Sequence, residues 1–372
     1  MVKNIQQITQ IEIYKLSIPL KKPFIISLGT IYNAENIIVI IRTDKGIAGF
    51  GECSPFMTIN GESQSTCFIV GEYLAKELKG KNALDIKTCM NIMDRTIYGN
   101  SSIKSAFDIA LHDIAAQNAG MPLYKFIGGK KVKKLVTDYT VSIGEPDKMA
   151  NDALKIKEAG FGIIKVKLGE TKKTDVARIR SIRKAIGNNL QLRIDANQGW
   201  NVKTAIKTLQ ALEKYNIQYC EEPIPRWNFM SLKKVKKKSP IPVMADESCC
   251  DHHDAKRLIR LNACDMFNLK LGKSSGILKA QKIIALAEKE NMVMQVGGFM
   301  ESKITMTANA HLALASPNIL YCDFDTPLMF AEDPVSGGII YKENGIIEVP
   351  ETHGLGAWIE REKLESMEKA II

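Results

Sequence analysis

From about residue 133 the chain settles into a rhythm that few folds accommodate. Short β-rich runs recur near residues 135–143, 163–168, 191–195, 217–221, 241–246, 264–270, 292–296 and 319–323. Amphipathic segments lie between them, for example Asp175 to Ile186, Val202 to Tyr215, Ser274 to Lys289 and Ser302 to Ala315. Eight strands spaced roughly 25–30 residues apart and alternating with helices predict an α/β fold of the (β/α)-barrel kind. A doubly wound open sheet is the competing topology. It is disfavoured because no glycine-rich phosphate turn follows any strand in the pattern a dinucleotide-binding fold needs.

Residues 1 to about 130 lack that rhythm. Ile11 to Ile18 and Ile37 to Arg42 read as strands, and Gly46-Ile-Ala-Gly-Phe-Gly51 continues the second after an Asp44-Lys-Gly46 turn. The intervening Lys21-Lys-Pro-Phe-Ile-Ile-Ser-Leu-Gly-Thr30 reads as a loop. Helical periods follow from Cys67 to Leu78 and from Ser101 to Asn118, the second closed by Gly120 and Pro122. Strands followed by helices suggest an α+β domain. The expected organisation is therefore a capping domain over residues 1–130 with substrate lid loops, a barrel over 131–325, and a segment over 326–372 that returns to the cap.

Charge and cysteines narrow the class. The net charge of +10 raises nucleic-acid binding as a reading, but the densest basic run, Lys233-Lys-Val-Lys-Lys-Lys238, sits in an amphipathic segment without interleaved aromatics. It reads as a solvated helix face. The eight cysteines contain no C-x-x-C pair and fall in apolar segments, which suits buried free thiols in a reducing cytoplasm. The first residues have no signal-peptide core and no run of 18 apolar residues occurs. A cytoplasmic protein that binds neither membrane nor nucleic acid is expected.

In a barrel, residues at the C-terminal ends of the strands face the active site. The second strand carries Lys165 and Lys167, which share a face because strand side chains alternate. Neighbouring like charges disfavour ionisation, so each is expected to have a lowered pKa suited to a general base. The third, fourth and fifth strands end in carboxylates: Asp195, Glu221 and Asp246. The sixth ends in Lys270, and the eighth in Asp323-Phe-Asp325. Three successive carboxylates at one mouth raise one another's pKa or demand a cation, and an all-oxygen set on rigid strands suits Mg²⁺. Strands two and six lie opposite each other, so their lysines can address both faces of one carbon. That is what a 1,1-proton transfer requires, with a metal stabilising the enolate between the two steps.

Five motifs occur in order: Lys165-Val-Lys167, Asp195-Ala-Asn-Gln-Gly-Trp200, Glu221-Glu-Pro223, Ala245-Asp246-Glu-Ser248 and Asn268-Leu-Lys270. The intervals from Lys167 to Asp195, Glu221, Asp246 and Lys270 are 28, 26, 25 and 24 residues. With these, the chain resembles the enolase superfamily in its muconate-lactonizing subgroup, along nearly its whole length. The helix Ala106-Phe-Asp-Ile-Ala-Leu-His-Asp-Ile-Ala115, with Gly120-Met-Pro-Leu-Tyr124 and Gly128-Gly129, resembles that family's linker into its barrel. The resemblance implies a modified (β/α)7β TIM-like barrel with an α+β cap. It also implies one Mg²⁺ held by Asp195, Glu221 and Asp246, and acid/base roles for Lys167 and Lys270 with Lys165 as their electrostatic neighbour. Glu222 competes with Glu221 as a ligand, but alternation sends only one inward and the family pattern matches Glu221. No histidine ends the seventh strand (Met-Val-Met-Gln-Val296), which disfavours the mandelate racemase variant.

Asp323-Phe-Asp325 followed by Thr-Pro-Leu328 resembles the Asp-x-Asp signature of dipeptide epimerases. Two carboxylates there suit the α-ammonium of a free dipeptide. The resemblance implies an isomerase acting on a dipeptide such as L-Ala-D/L-Glu, with cell-wall peptide metabolism as its setting and a homo-oligomer as its assembly. Thr140, Gly298, Met300 and Lys22 join the two aspartates as candidate substrate-binding residues. Lys22 enters because Gly29 stands where some relatives carry an arginine for the glutamate side chain. The alternatives on the same scaffold are o-succinylbenzoate synthase, N-succinylamino acid racemase and cycloisomerase. A basic nucleic-acid-binding module is the remote one.

Overall fold

The computed structural model describes residues 5–130 and 133–372. The chain's first four residues and the domain boundary expected at residue 131 lie outside the described residues. Eight parallel strands form one sheet in sequence order: Tyr139–Val141, Ile163–Lys167, Gln191–Asp195, Ile217–Glu221, Val243–Ala245, Met266–Leu269, Val293–Val296 and Ile319–Cys322. They are called the first to the eighth barrel strands below. A single parallel bridge, Thr137 to Cys322, joins the eighth strand back to the first and closes the barrel.

Alternation along these strands sorts the core. Outward-facing Ile164, Val166, Leu192, Ile194, Val243, Phe267, Leu269, Met294 and Val296 are fully buried against the helices and belong to the main apolar core. The inward-facing apolar residues form only a small separate cluster, Tyr219, Met244 and Met266 with Val293 and Tyr321 packed against it. The rest of the interior is polar and charged. Branched apolar residues ordinarily fill that volume, so the polar filling marks a barrel built around chemistry.

Loops after the second and third strands pack backbone to backbone. A Cβ on Gly199 would lie 2.3 Å from the carbonyl oxygen of Gly169, so only glycine fits there. Trp200 is buried beside them and donates its indole N–H to Asp175 Oδ2 at 2.8 Å. Asp175 also accepts from the Glu170 N–H at 2.9 Å and from Arg178 at 2.8 Å. The Gly-Trp pair of the second motif thus holds loops in place.

The cap is a four-stranded antiparallel sheet with helices Gln64–Leu78, Ile86–Thr96 and Ser101–Asn118. The last strand of the chain, Lys369–Ile371, pairs with Glu12–Tyr14 in this sheet. The stretch Lys21–Thr30, expected to be a loop, is instead a hairpin. The first strand runs from Ile8 to Ile26 with a register shift between Pro19 and Phe24, and turns at Ser27-Leu28 into the second, Gly29–Thr43. Proline and paired lysines hide the alternation there, and the ladder to Gly29–Asn33 supplies the hydrogen bonds.

Candidate active site

Adjacent strands bring the charged residues into register. Lys167 pairs with Asp195 across the second and third strands, and Asp195 pairs with Glu221 across the third and fourth. Lys165 Nζ is buried among three carboxylates, 2.7 Å from Asp323 Oδ2, 2.8 Å from Glu221 Oε2 and 3.4 Å from Asp195 Oδ2. Lys167 Nζ lies 2.7 Å from Asp195 Oδ2. Across the mouth, Lys270 Nζ lies 2.7 Å from Asp246 Oδ2. Phe24 and Phe299 flank the two ammonium groups, 5.8 Å from Lys167 and 5.0 Å from Lys270.

The lowered pKa expected for Lys165 is corrected by this geometry. Burial does depress it, but Asp323, Glu221 and Asp195 outweigh both burial and the neighbouring lysine and hold it well above the ordinary lysine range. Lys270 is likewise raised: burial opposes its charge and Asp246 and Glu221 favour it more strongly. Burial and the Asp195 charge push Glu221 up to about 7 in spite of Lys165.

Several residues that shape the site were given no role there by the sequence. Asn268 donates to Glu221 Oε1 at 2.7 Å and Gln295 to its Oε2 at 3.3 Å, so both oxygens are aimed. Lys273, one turn beyond Lys270, is buried and bonds Asp246 through both its carboxylate and its main-chain oxygen. The i+3 spacing after Lys270 is the sequence signal that could have found it. Glu222 points elsewhere. Its Oε2 accepts from the backbone N–H of Asp246 at 2.7 Å and of Ser248 at 3.1 Å, fixing the turn that presents Asp246.

The donor set is chemically suited to a hard divalent cation. Asp195, Glu221 and Asp246 supply only oxygen from three consecutive strand ends. Glu247 Oε2 and Asn268 Oδ1 are buried without a hydrogen-bond partner among the described residues. Two carboxylates 4 Å apart repel by about 4 kcal/mol at a typical protein dielectric; Lys165, Lys167, Lys270 and Lys273 offset part of that repulsion in the triad, and a bound cation would offset more. A second carboxylate group, Asp138, Asp323 and Asp325, brings oxygens within 4.8 Å of one another. There the cation's place is already taken: Arg193 bonds Asp138 at 2.8 Å and Lys165 bonds Asp323.

The remaining candidates divide. Asp323 faces Lys165, and Asp325 Oδ2 accepts from the Thr140 N–H at 2.6 Å, so the eighth and first strands meet at this pair. Met300 lines a cavity of about 490 Å³ beneath the hairpin turn, together with Leu28, Gly29, Ile31, Phe56 and Met57. Gly298 serves packing, since a Cβ there would lie 2.3 Å from Met306 Cε and 2.5 Å from Glu301 Oε2. Lys22 is exposed and lines a second cavity, of about 900 Å³, with Phe24, Thr140, Lys148, Lys155 and Phe161. Lys21 is tied down there by its bond to the Leu328 carbonyl at 3.0 Å.

A barrel with carboxylates ending strands three to five and lysines on strands two and six defines an enzyme class that the comparisons name. Residues 8–128 match the mandelate racemase / muconate lactonizing enzyme N-terminal domain, and residues 148–363 match the enolase C-terminal domain-like family. The chain belongs to the enolase superfamily. It is 60% identical over 365 residues to the D-Ala-D/L-Ala epimerase of Cytophaga hutchinsonii, covering 98% of this chain and 99% of that one. The crystal structure of the Cytophaga hutchinsonii dipeptide epimerase complexed with Mg and D-Ala-L-Val superposes with a TM-score of 0.98, covering 98% of this chain and 100% of that one. The L-Ala-D/L-Glu epimerase of Bacillus subtilis in a substrate-liganded complex is 38% identical with a TM-score of 0.91, covering 94% and 98%.

Proposed function

We propose that this protein is a Mg²⁺-dependent dipeptide epimerase that inverts the α-carbon of the C-terminal residue. The observation that carries the reading is the placement of Lys167 and Lys270 on opposite strands, with Asp195, Glu221 and Asp246 between them. In this reading Asp195, Glu221 and Asp246 hold the Mg²⁺, which when bound supplies positive charge against the substrate carboxylate. One lysine enters as the free amine and takes the α-proton. The other enters as the ammonium and returns a proton to the opposite face, so the two exchange protonation states in a turnover. Lys165 keeps positive charge beside Glu221 and Asp323 throughout. Asp323 and Asp325 receive the α-ammonium, a group that N-succinylated amino acids and muconates lack.

The lid cavity favours a neutral second residue. Its lining combines Leu28, Ile31, Pro55, Phe56, Met57 and Met300 with neutral polar side chains and Glu35, and it contains no lysine or arginine. A glutamate side chain buried there would have no cationic partner. The two lysines of the hairpin line the second cavity instead. Ala-Ala and Ala-Val are therefore better fits than Ala-Glu. A cytoplasmic setting agrees with eight free cysteines, and no helix among the described residues is long and apolar enough to cross a membrane.

A dipeptide panel in D₂O tests the assignment by mass spectrometry. Deuterium should enter the C-terminal α-position of neutral dipeptides, only with Mg²⁺ present, and faster than for L-Ala-L-Glu. Exchange confined to N-succinylamino acids would turn the assignment to the racemase alternative.

A further inference from the structure

Seven of the eight junctions in the barrel sheet are ladders of two or more paired residues. The eighth, between the last strand and the first, has only the Thr137–Cys322 bridge. Yet this seam carries Asp323 and Asp325 on one side and Thr140 on the other. Side chains replace the missing ladder. The Phe324 N–H donates to Thr137 Oγ1 at 2.8 Å, and the Thr140 N–H to Asp325 at 2.6 Å.

The deepest of these stitches is Arg193, on the third strand two residues before Asp195 and facing the same way. Its Nη1 donates across the seam, to Asp138 Oδ2 at 2.8 Å and to the Cys322 carbonyl at 3.2 Å. Its Nε donates to Gln218 at 2.9 Å. The guanidinium is sandwiched between Tyr219 and Tyr321, 5.4 and 4.8 Å from the ring centroids. It is buried, so it cannot drift. An apolar side chain would fill the same volume without the desolvation cost of a charge, so the charge itself calls for a role. Asp138 belongs to the carboxylate group with Asp323 and Asp325, and its Oδ1 is buried with no hydrogen-bond partner among the described residues.

We propose that Arg193 is a positioning residue for the ammonium subsite: by clamping Asp138 and the Cys322 carbonyl across the barrel seam, it fixes where Asp323 and Asp325 stand. Asp138 adds a third carboxylate to the field that the ammonium meets. The proposal rests on the dipeptide reading. A displacement near 1 Å is enough to cost on the order of a hundredfold in a preorganised site.

The experiment compares wild type, Arg193→Met, Arg193→Lys and Asp138→Asn in Mg²⁺-dependent deuterium exchange of L-Ala-L-Ala. Competition by N-acetyl-L-Ala-L-Ala, which has no ammonium, is measured alongside. The expected result for Arg193→Met is a KM raised at least tenfold, kcat within about threefold, and inhibition by the acetylated peptide within about twofold of wild type. Arg193→Lys should recover part of the KM. Asp138→Asn keeps an acceptor for Arg193 and removes only charge, so it tests the third carboxylate, and its KM should rise at least fivefold. If Arg193→Met does not fold, Arg193→Lys decides the matter, its KM expected at least threefold above wild type. Unchanged KM in the Arg193 variants overturns the role of Arg193 while leaving the dipeptide reading standing. The same holds if the acetylated competitor weakens in parallel. A wild type that exchanges no dipeptide overturns that reading and this proposal with it.

Discussion

Glu52, at the edge of the cap sheet, is the N-terminal cap of a barrel helix: its Oε1 accepts from the Ser302 N–H at 2.9 Å. Its Oε2 accepts from the Thr305 N–H at 3.1 Å and from the Ser302 hydroxyl at 2.8 Å, at the start of the helix Lys303–Ala315. Asn36 adds a bond to Oε1 and another to the Met300 carbonyl beside the lid cavity. One carboxylate thus joins cap, barrel helix and substrate wall. Glu52→Ala leaves four buried donor groups without their acceptor, which should cost about 3 kcal/mol or more. Urea unfolding measures it; a loss under about 1 kcal/mol would mean the two domains are held together elsewhere.

The proposed roles of Lys167 and Lys270 on opposite faces make their removal stereochemically asymmetric in expectation. Lys167→Ala should stop deuterium uptake from one diastereomer of Ala-Ala and Lys270→Ala from the other, each by roughly 10²–10⁴-fold. Proton NMR in D₂O, begun from each diastereomer, reads this out. Either variant still exchanging both diastereomers at wild-type rates would show that its lysine is no acid or base.

Binding of Mg²⁺ to the folded chain alone should stabilise it, by about 2.7 kcal/mol at a hundredfold excess over Kd. For a protein of this size that is a Tm rise of several degrees. Glu221→Gln, which loses the charge of the central ligand but keeps its length, should lose most of the rise. Calorimetry with Mg²⁺ and with EDTA checks it, and an equal rise in the variant would move the metal away from Glu221.

Acid sensitivity has a source far from the site. His311 is buried, with Nδ1 accepting from the Tyr124 N–H at 3.2 Å and Nε2 therefore donating to the Leu355 carbonyl at 3.0 Å. Burial lowers its pKa to about 4, whereas an unfolded histidine titrates near 6.5. Between those values the unfolded chain binds a proton that the native chain refuses, so stability rises with pH across this window and is lost as pH falls. The full contribution is on the order of 3 kcal/mol. In urea unfolding at pH 7 and pH 5, His311→Gln should lose less on acidification than wild type; equal losses would assign the acid sensitivity to other groups.

The reactive centre was legible because its logic is local. Strand alternation sets Lys165 and Lys167 on one face, and five short motifs at nearly constant spacing place one functional group at each successive strand end. The register of the second to fourth strands follows from that spacing. The surroundings of Gly298 and Lys22 were not legible, for the opposite reason. The first answers to a close approach of Met306, and the second to which way a twisted hairpin turns its lysines, and neither is a property of neighbouring residues.

The amino-acid sequence by itself determined the barrel, the order of its strands and the charges at their ends, since these depend on periodicities of two and of 3.6 residues and on spacing along the chain. Tertiary structure alone decided which charges neutralise which. Arg193 reaches Asp138 and Cys322 only once the eighth strand returns to the first, and Glu52 meets Ser302 from 250 residues away. Lys165 stays charged because three carboxylates from three different strands converge on one nitrogen, and Coulomb energy depends on distance in space rather than on distance along the chain.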